Sequence, residues 1–106
     1  METLDKKEYL NQLFDFYESL LTEKQRLYFE YYYIEDYSLQ EISELYKVSR
    51  NAIFDHLKKV EQHLLDFEKK LKLLTLKNQR LALIEKIKTS GDLTLLDALR
   101  KLDEIW

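Results

Sequence analysis

Apolar side chains recur at helical spacing through most of the 106 residues. Between roughly residues 5 and 20 they lie three or four positions apart, which predicts an amphipathic helix. Its apolar face would comprise Leu10, Leu13, Phe14, Tyr17 and Leu21. A second helix is predicted from about residue 23 to 34. The preceding Thr22 and the third residue after it, Gln25, have the spacing of a capping box, in which each satisfies a free backbone N–H group of the other.

The second predicted helix is dense in aromatic residues and includes three consecutive tyrosines, residues 31–33. Neighbouring helical residues point in different directions, so these rings cannot share one face. We expect some rings to be buried and others to lie at the surface with the hydroxyl in water. Exposed tyrosines can stack on nucleic-acid bases, but the nearby Glu30 and Glu35 favour packing in the core or at an interface.

Residues 38–59 have the pattern of two short helices joined by a tight turn. A second capping box, Ser38 with Glu41, opens the first of these helices. The remaining elements are a small residue at the helix crossing, Ser43; the turn, Lys47 and Val48; the cap of the next helix, Ser49; and the sealing residues Ile42, Ile53 and Leu57. Their order and spacing predict a helix-turn-helix.

Beyond this motif the apolar residues continue at alternating steps of four and three, the spacing of a heptad seam. They are Ile53, Leu57, Val60, Leu64, Phe67, Leu71 and Leu74. A small domain needs only the first few of these positions for its own core, so we expect Leu64, Phe67, Leu71 and Leu74 to pack against the N-terminal helices, a later helix or a second copy of the chain. A homodimer is the prediction.

The apolar register shifts over residues 75–88, where Asn78-Gln79 is a candidate kink, and residues 89–92 form a clear break. A final helix would place Leu95, Leu99, Leu102 and Trp106 on one side. We therefore predict a helix-turn-helix domain over 1–64 and a C-terminal helical extension over 65–106 that serves as a dimerisation arm.

Composition supports an all-α fold, because one Gly and no Pro leave little to interrupt helices. The expected architecture is a helix-turn-helix bundle, winged-helix-like or sigma-region-four-like, with a long C-terminal helical extension. The lack of Cys excludes disulfides and thiolate chemistry. His56 and His63 lie seven residues apart, too far for a histidine pair at i, i+4 that binds a metal. We expect no catalytic residues, no metal site and no cofactor.

Charged residues among the first twenty positions argue against a signal peptide, and no apolar run is long enough to span a bilayer. We expect a cytoplasmic protein without integral membrane contact.

The net charge of −3 conceals an asymmetry between the two ends of the chain. Residues 1–45 carry a balance of −7 and residues 46–106 a balance of +4. A polyanion should therefore approach the second half, where the candidate contacts are Lys69, Lys70, Lys72, Lys77 and Arg80. A solvated helix face is the simpler alternative, and an anionic membrane surface is a further one.

The predicted second helix of the motif is a poor match for duplex DNA. Residues 49–63 have a balance of only +1, and specific docking needs several phosphate contacts. Asp55 would repel the duplex, and Phe54 is better suited to an interface. The motif nevertheless places six candidate nucleic-acid contacts on this helix, Ser49, Arg50, Asn51, His56, Lys58 and Lys59. DNA binding is possible but disfavoured.

Residues 21–64 resemble region four, the promoter-recognition domain, of bacterial sigma factors. The matching pieces are Leu21-Thr22-Glu23-Lys24-Gln25-Arg26, Ser38, Glu41-Ile42, Val48-Ser49-Arg50, Ala52-Ile53 and Leu57. Lys47 departs from that pattern, which often has Gly in the turn. Nearly the whole chain is more similar to the YlxM family, through its N-terminal LNQLFDFYESLLTEKQ and its long C-terminal arm, which is first basic and then apolar. This is a family of small helix-turn-helix proteins of Gram-positive bacteria, whose genes lie beside those for the signal recognition particle GTPase and its receptor.

The YlxM resemblance implies a regulatory or accessory protein of the signal recognition particle pathway, with the particle's protein or RNA as partner. Under this interpretation residues 69–88, the basic segment, would contact particle RNA and recognise the shape of the RNA, not its sequence. The sigma resemblance implies instead a DNA-binding transcription regulator. A third interpretation is a structural adaptor that binds protein through its tyrosines and its heptad seam.

Overall fold

The computed structural model describes residues 3–104, which form six α-helices and no strand. The helices are α1 Leu4–Tyr17, α2 Glu23–Phe29, α3 Leu39–Tyr46, α4 Arg50–Leu71, α5 Leu73–Ser90 and α6 Leu95–Asp103. A 3₁₀ turn, Glu18–Leu20, follows α1, and a π-helical turn, Glu30–Ile34, follows α2. The all-α prediction is confirmed, and residues 3–104 carry no β-wing. Trp106, expected on the last apolar face, lies outside the described residues.

Hydroxyl side chains cap the helices that build the motif. In both predicted capping boxes the hydroxyl accepts a hydrogen bond from the third residue of the helix, at 3.2 Å for Thr22 and 3.0 Å for Ser38. Gln25 and Glu41 accept the reciprocal bonds from the cap N–H groups. Ser49 Oγ accepts from the Ala52 N–H at 3.0 Å. Each helix of the motif therefore begins where its sequence signal predicts.

The chain divides into two units, residues 1–71 and 72–106. In the first unit α4 packs against α1, α2 and α3, and in the second α5 packs against α6. The expected boundary at residue 64 falls within α4, which continues to Leu71. The helix ends there because Lys72 adopts the left-handed conformation, with φ 57° and ψ 32°, which an α-helix cannot incorporate.

The predicted heptad seam does not run along one helix. Lys72 interrupts it between Leu71 and Leu74, and α5 runs without a break through the candidate kink at Asn78-Gln79. On α4 itself the buried positions move from Leu64 to Glu68, while Phe67 is half-buried and Leu71 is 36% exposed. A straight helix of 3.6 residues per turn drifts away from a 3.5-residue repeat, which explains this shift. The dimer contact through these residues stays a prediction.

Aromatic rings fill the core of the first unit. Phe29 stacks between Phe14 and Tyr33, with ring centroids 4.4 and 4.6 Å apart. Tyr33 is buried, whereas Tyr31 and Tyr32 are half-buried. The tyrosine triplet therefore divides between core and surface, as the helical geometry predicts.

Candidate nucleic-acid interface

The turn between α3 and α4 is fixed by hydrogen bonds around Ser43. Lys47 ends α3 in the left-handed conformation, with φ 56°, and its N–H donates to the Ser43 carbonyl oxygen. Ser43 Oγ donates to the Val48 carbonyl oxygen at 2.5 Å. Val48 also packs against a buried cluster that includes Ile42 and Ile53. The first turns of α4 are thus held in a defined orientation on α3.

The start of α4 presents two polar side chains to solvent. Arg50 and Asn51 are exposed, and the first turn contains no acidic residue. Ser49 is exposed as well, but its hydroxyl already accepts the capping hydrogen bond from Ala52. Of the three residues predicted here, Arg50 and Asn51 are the ones most available to a ligand.

The next turn of α4 combines an exposed aromatic ring with side chains of both charges. Phe54 is 46% exposed, and Lys58 Nζ lies 5.2 Å from the centroid of its ring. Lys58 Nζ also lies 3.7 Å from a carboxylate oxygen of Glu61. Asp55 and Lys59 are both exposed. Lys58 is therefore already held by an aromatic ring and a carboxylate, and Asp55 offsets the charge of Lys59.

His56 is turned towards the protein. Its ring packs edge-on against Tyr28, with centroids 4.8 Å apart, and its Nε2 atom is buried with no hydrogen-bond partner among residues 3–104. Burial lowers the pKa of His56 below its ordinary value, and the nearby Lys24 and Lys59 lower it further. A neutral, half-buried imidazole is poorly suited to contact phosphate. The structure therefore shows His56 packed against Tyr28, although the helix-turn-helix motif places it among the predicted nucleic-acid contacts.

The remaining predicted contacts lie elsewhere on the chain. Lys69 and Lys70 are exposed in the last turn of α4. At 1.5 Å per residue, Lys70 is about 30 Å along the helix from Arg50. Lys72, Lys77 and Arg80 belong to the second unit, where Arg80 pairs with Asp103 at 3.3 Å. Within the first unit, the predicted residues thus lie near the beginning of α4 and at its end.

Two buried glutamates on α4 were missed by the sequence reasoning. Glu61 and Glu68 are each 7% exposed. Tyr33 donates a hydrogen bond to Glu61, and Tyr17 donates one to Glu68 at 2.7 Å. A signal was present, because these two positions continue the steps of four and three through Leu57 and Leu64. A carboxylate at a buried helical position predicts a buried donor facing it.

Residues 3–104 contain no cluster of three or more His, Asp or Glu side chains placed to hold a metal ion. None of the described helices combines the length and hydropathy that a bilayer-spanning segment needs.

A family model described as "Putative helix-turn-helix protein, YlxM / p13 like" matches residues 4–104. The UPF0122 protein YlxM of Bacillus subtilis is 44% identical over 109 residues, which cover 95% of this chain and 99% of the relative. A UPF0122 protein of Oceanobacillus iheyensis is 55% identical over 85 residues, covering 80% of this chain and 81% of the relative. Another, from Geobacillus kaustophilus, is 43% identical over 108 residues, covering 96% and 98%. The chain therefore belongs to the YlxM / p13-like helix-turn-helix family.

Proposed function

We propose that the chain is a non-catalytic accessory protein of the signal recognition particle pathway, which acts in the cytoplasm by binding protein or RNA. The observation that carries the proposal is the chemistry of the exposed side of the helix-turn-helix. It combines an exposed aromatic ring at Phe54, an exposed carboxylate at Asp55 and a lysine, Lys58, already engaged within the chain. Helices that read duplex DNA gain most of their affinity from Lys and Arg side chains that contact phosphate. The exposed side of this helix-turn-helix offers few such side chains.

The acidic surroundings of the motif support the same conclusion. The exposed side of α3 carries two acidic side chains, Glu41 and Glu44, which hydrogen-bond with Ser38 and Gln40. A duplex approaching α4 would meet these charges on the neighbouring helix. A protein partner would not be repelled in the same way, because aromatic anchors such as Phe54 are typical of protein interfaces.

Contact with particle RNA is proposed for the basic segment. Lys69, Lys70, Lys72 and Lys77 are exposed, whereas Arg80 is shared with Asp103. RNA helices are recognised through backbone shape and phosphate contacts, which exposed lysines can make without base-specific geometry. Arg80 is accordingly the weakest member of this predicted set.

The test is capture of RNA, DNA and protein from native cytoplasm, with a salt titration of each bound class. We expect particle RNA or particle protein to be enriched. Reversal of Lys69, Lys70, Lys72 and Lys77 to Glu should abolish RNA binding, and each lost phosphate contact should lower the salt slope by roughly 0.7–0.9. The Lys→Arg variant at the same four positions keeps the charge and is the matched control. Unchanged RNA affinity and salt slope in the Glu variant would contradict the RNA contact.

A DNA-binding transcription regulator of the sigma-region-four type is the second candidate. It is favoured by the complete helix-turn-helix and by exposed Arg50 and Asn51 in the first turn of α4. Enrichment of DNA at defined sites, lost in Arg50→Ala, would support it. Recovery of protein alone would instead favour the structural adaptor.

A further inference from the structure

A cavity of about 230 Å³ opens beside the π-helical turn, in the first unit. It is lined by Leu27, Glu30, Tyr31, Glu35 and Tyr37. The Glu35 N–H donates to the Glu30 carbonyl oxygen at 2.8 Å, and the Tyr37 N–H donates to the Tyr31 carbonyl oxygen at 2.8 Å. These two bonds fold the chain back on itself, so the cavity walls are fixed by backbone contacts. Single π turns of this kind often occur at functional sites.

The cavity combines two carboxylates with two aromatic rings. Tyr31 and Tyr37 lie with their ring centroids 4.8 Å apart and their planes at 49°. Within residues 3–104 the Glu35 carboxylate takes part in no ion pair or hydrogen bond. Glu30 is held only loosely, with Arg26 Nε 3.9 Å from its carboxylate. Both carboxylates thus have capacity for a cation brought from outside, and the face of a tyrosine ring also attracts cations.

The volume of the cavity and the side chains that line it indicate which class of ligand it can bind. Sites for drug-sized molecules and cofactors usually occupy roughly 300–1,000 Å³, so this volume fits a side chain better. Two carboxylates do not make a metal site, and no cluster of three candidate ligands exists among residues 3–104. A guanidinium group matches the remaining chemistry, because its planar fork pairs with carboxylates and its face stacks on aromatic rings.

The charge of the surrounding chain indicates where such a group would come from. Residues 1–45 carry a balance of −7. A field of this sign favours the approach of a basic protein surface and disfavours nucleic acid.

We propose that this cavity binds the guanidinium group of an arginine presented by a basic partner protein. Glu35 and Glu30 accept hydrogen bonds from the guanidinium, Tyr31 and Tyr37 contact its face, and Leu27 packs on its methylene groups. None of these five residues is part of the predicted nucleic-acid interface. The inference requires a protein partner but not the signal recognition particle pathway.

The test is an NMR titration of the full chain with N-acetyl-L-arginine methylamide. The matched probe is the citrulline analogue, which has nearly the same shape but no charge. We expect the arginine probe to shift the backbone amides of the cavity residues at millimolar concentration, the lysine analogue to act more weakly, and the citrulline analogue to have no effect. Glu35→Gln should weaken the arginine probe about tenfold. Glu8→Gln, which neutralises an exposed carboxylate on α1, should leave the affinity unchanged.

Three results would overturn the proposal: an equal response to citrulline, shifts spread over all acidic surfaces, or equal affinity in Glu35→Gln. Should Glu35→Gln perturb the fold, the comparison of probes on the unmodified chain still decides, and Tyr37→Leu tests the aromatic wall separately. Because the titration uses the isolated chain and a small probe, its outcome is independent of whether particle RNA or protein is captured from cytoplasm.

Discussion

The hydrogen bond between Tyr17 and Glu68 joins residues 51 positions apart and fixes the end of α1 against the end of α4. Tyr17 is fully buried and Glu68 is 7% exposed, so solvent screens this contact very little. The perturbation is Tyr17→Phe, which removes the hydroxyl and keeps the aromatic ring. The centroid of this ring lies 5.8 Å from that of Phe67. The variant isolates the hydrogen bond from the packing around it.

A hydrogen bond to a charged acceptor contributes about 1.5–3 kcal/mol, so Tyr17→Phe should lower the free energy of unfolding by about 2 kcal/mol. For a domain of this size the melting temperature should fall by roughly 8–16 °C. The cost arises because the buried side chain of Glu68 loses this donor. Replacing the carboxylate as well, in Tyr17→Phe/Glu68→Leu, should recover part of the loss, since an apolar side chain needs no donor.

Urea unfolding followed by far-ultraviolet circular dichroism measures the stability of Tyr17→Phe and of the double variant. Tyr32→Phe is the matched control, because it removes the hydroxyl of a half-buried tyrosine that makes no hydrogen bond within residues 3–104. It should change stability by less than about 0.5 kcal/mol. The reasoning is refuted if Tyr17→Phe is as stable as the control, or if the double variant is less stable than Tyr17→Phe.

Three further predictions concern the turn at Lys47, the half-buried imidazole of His56 and self-association of the chain. Lys47→Gly should raise the free energy of unfolding by about 1 kcal/mol in urea titrations, because glycine adopts φ 56° without a Cβ clash; a loss of stability would contradict this. The pKa of His56 lies below 6.5 in the folded chain, so the unfolded chain binds the proton more readily and stability falls as the pH drops below 6.5. Thermal melts between about pH 7.5 and 5.5 should show a smaller loss of stability in His56→Phe than in the unmodified chain. His63→Gln, the control, should lose as much stability as the unmodified chain. Sedimentation at micromolar concentration should show a dimer, and a monomer would disprove the predicted self-association.

Local signals in the sequence predicted the helix-turn-helix well. Thr22, Ser38 and Ser49 each cap the predicted helix, because a capping hydroxyl acts on a backbone N–H only two or three residues away. The turn at Lys47 was predicted for the same reason, since its geometry depends on neighbouring residues. Such short-range interactions need no knowledge of the tertiary fold.

Features that depend on distant residues were harder to predict. The spacing of apolar residues suggested one seam through Leu71 and Leu74, yet a single left-handed residue, Lys72, separates them into two helices. Nothing in the identity of a lysine signals that conformation, which non-glycine residues adopt only rarely. The pairing of Tyr17 with Glu68 spans 51 positions, and the periodicity of one helix cannot indicate which buried donor a carboxylate meets.

The π-helical turn amounts to one extra residue accommodated within a helix, seen in the bond from the Glu35 N–H to the Glu30 carbonyl oxygen at 2.8 Å. Each added residue advances a helix by about 100°. This single insertion therefore sets the direction in which the last residues of the helix, such as Tyr33, point. Deleting Tyr32 would restore an ordinary helix but rotate Tyr33 away from Glu61, and it would dismantle the wall formed by Tyr31 and Glu35. Chain length within Glu30–Ile34 is consequently under tighter constraint than the identity of its exposed side chains.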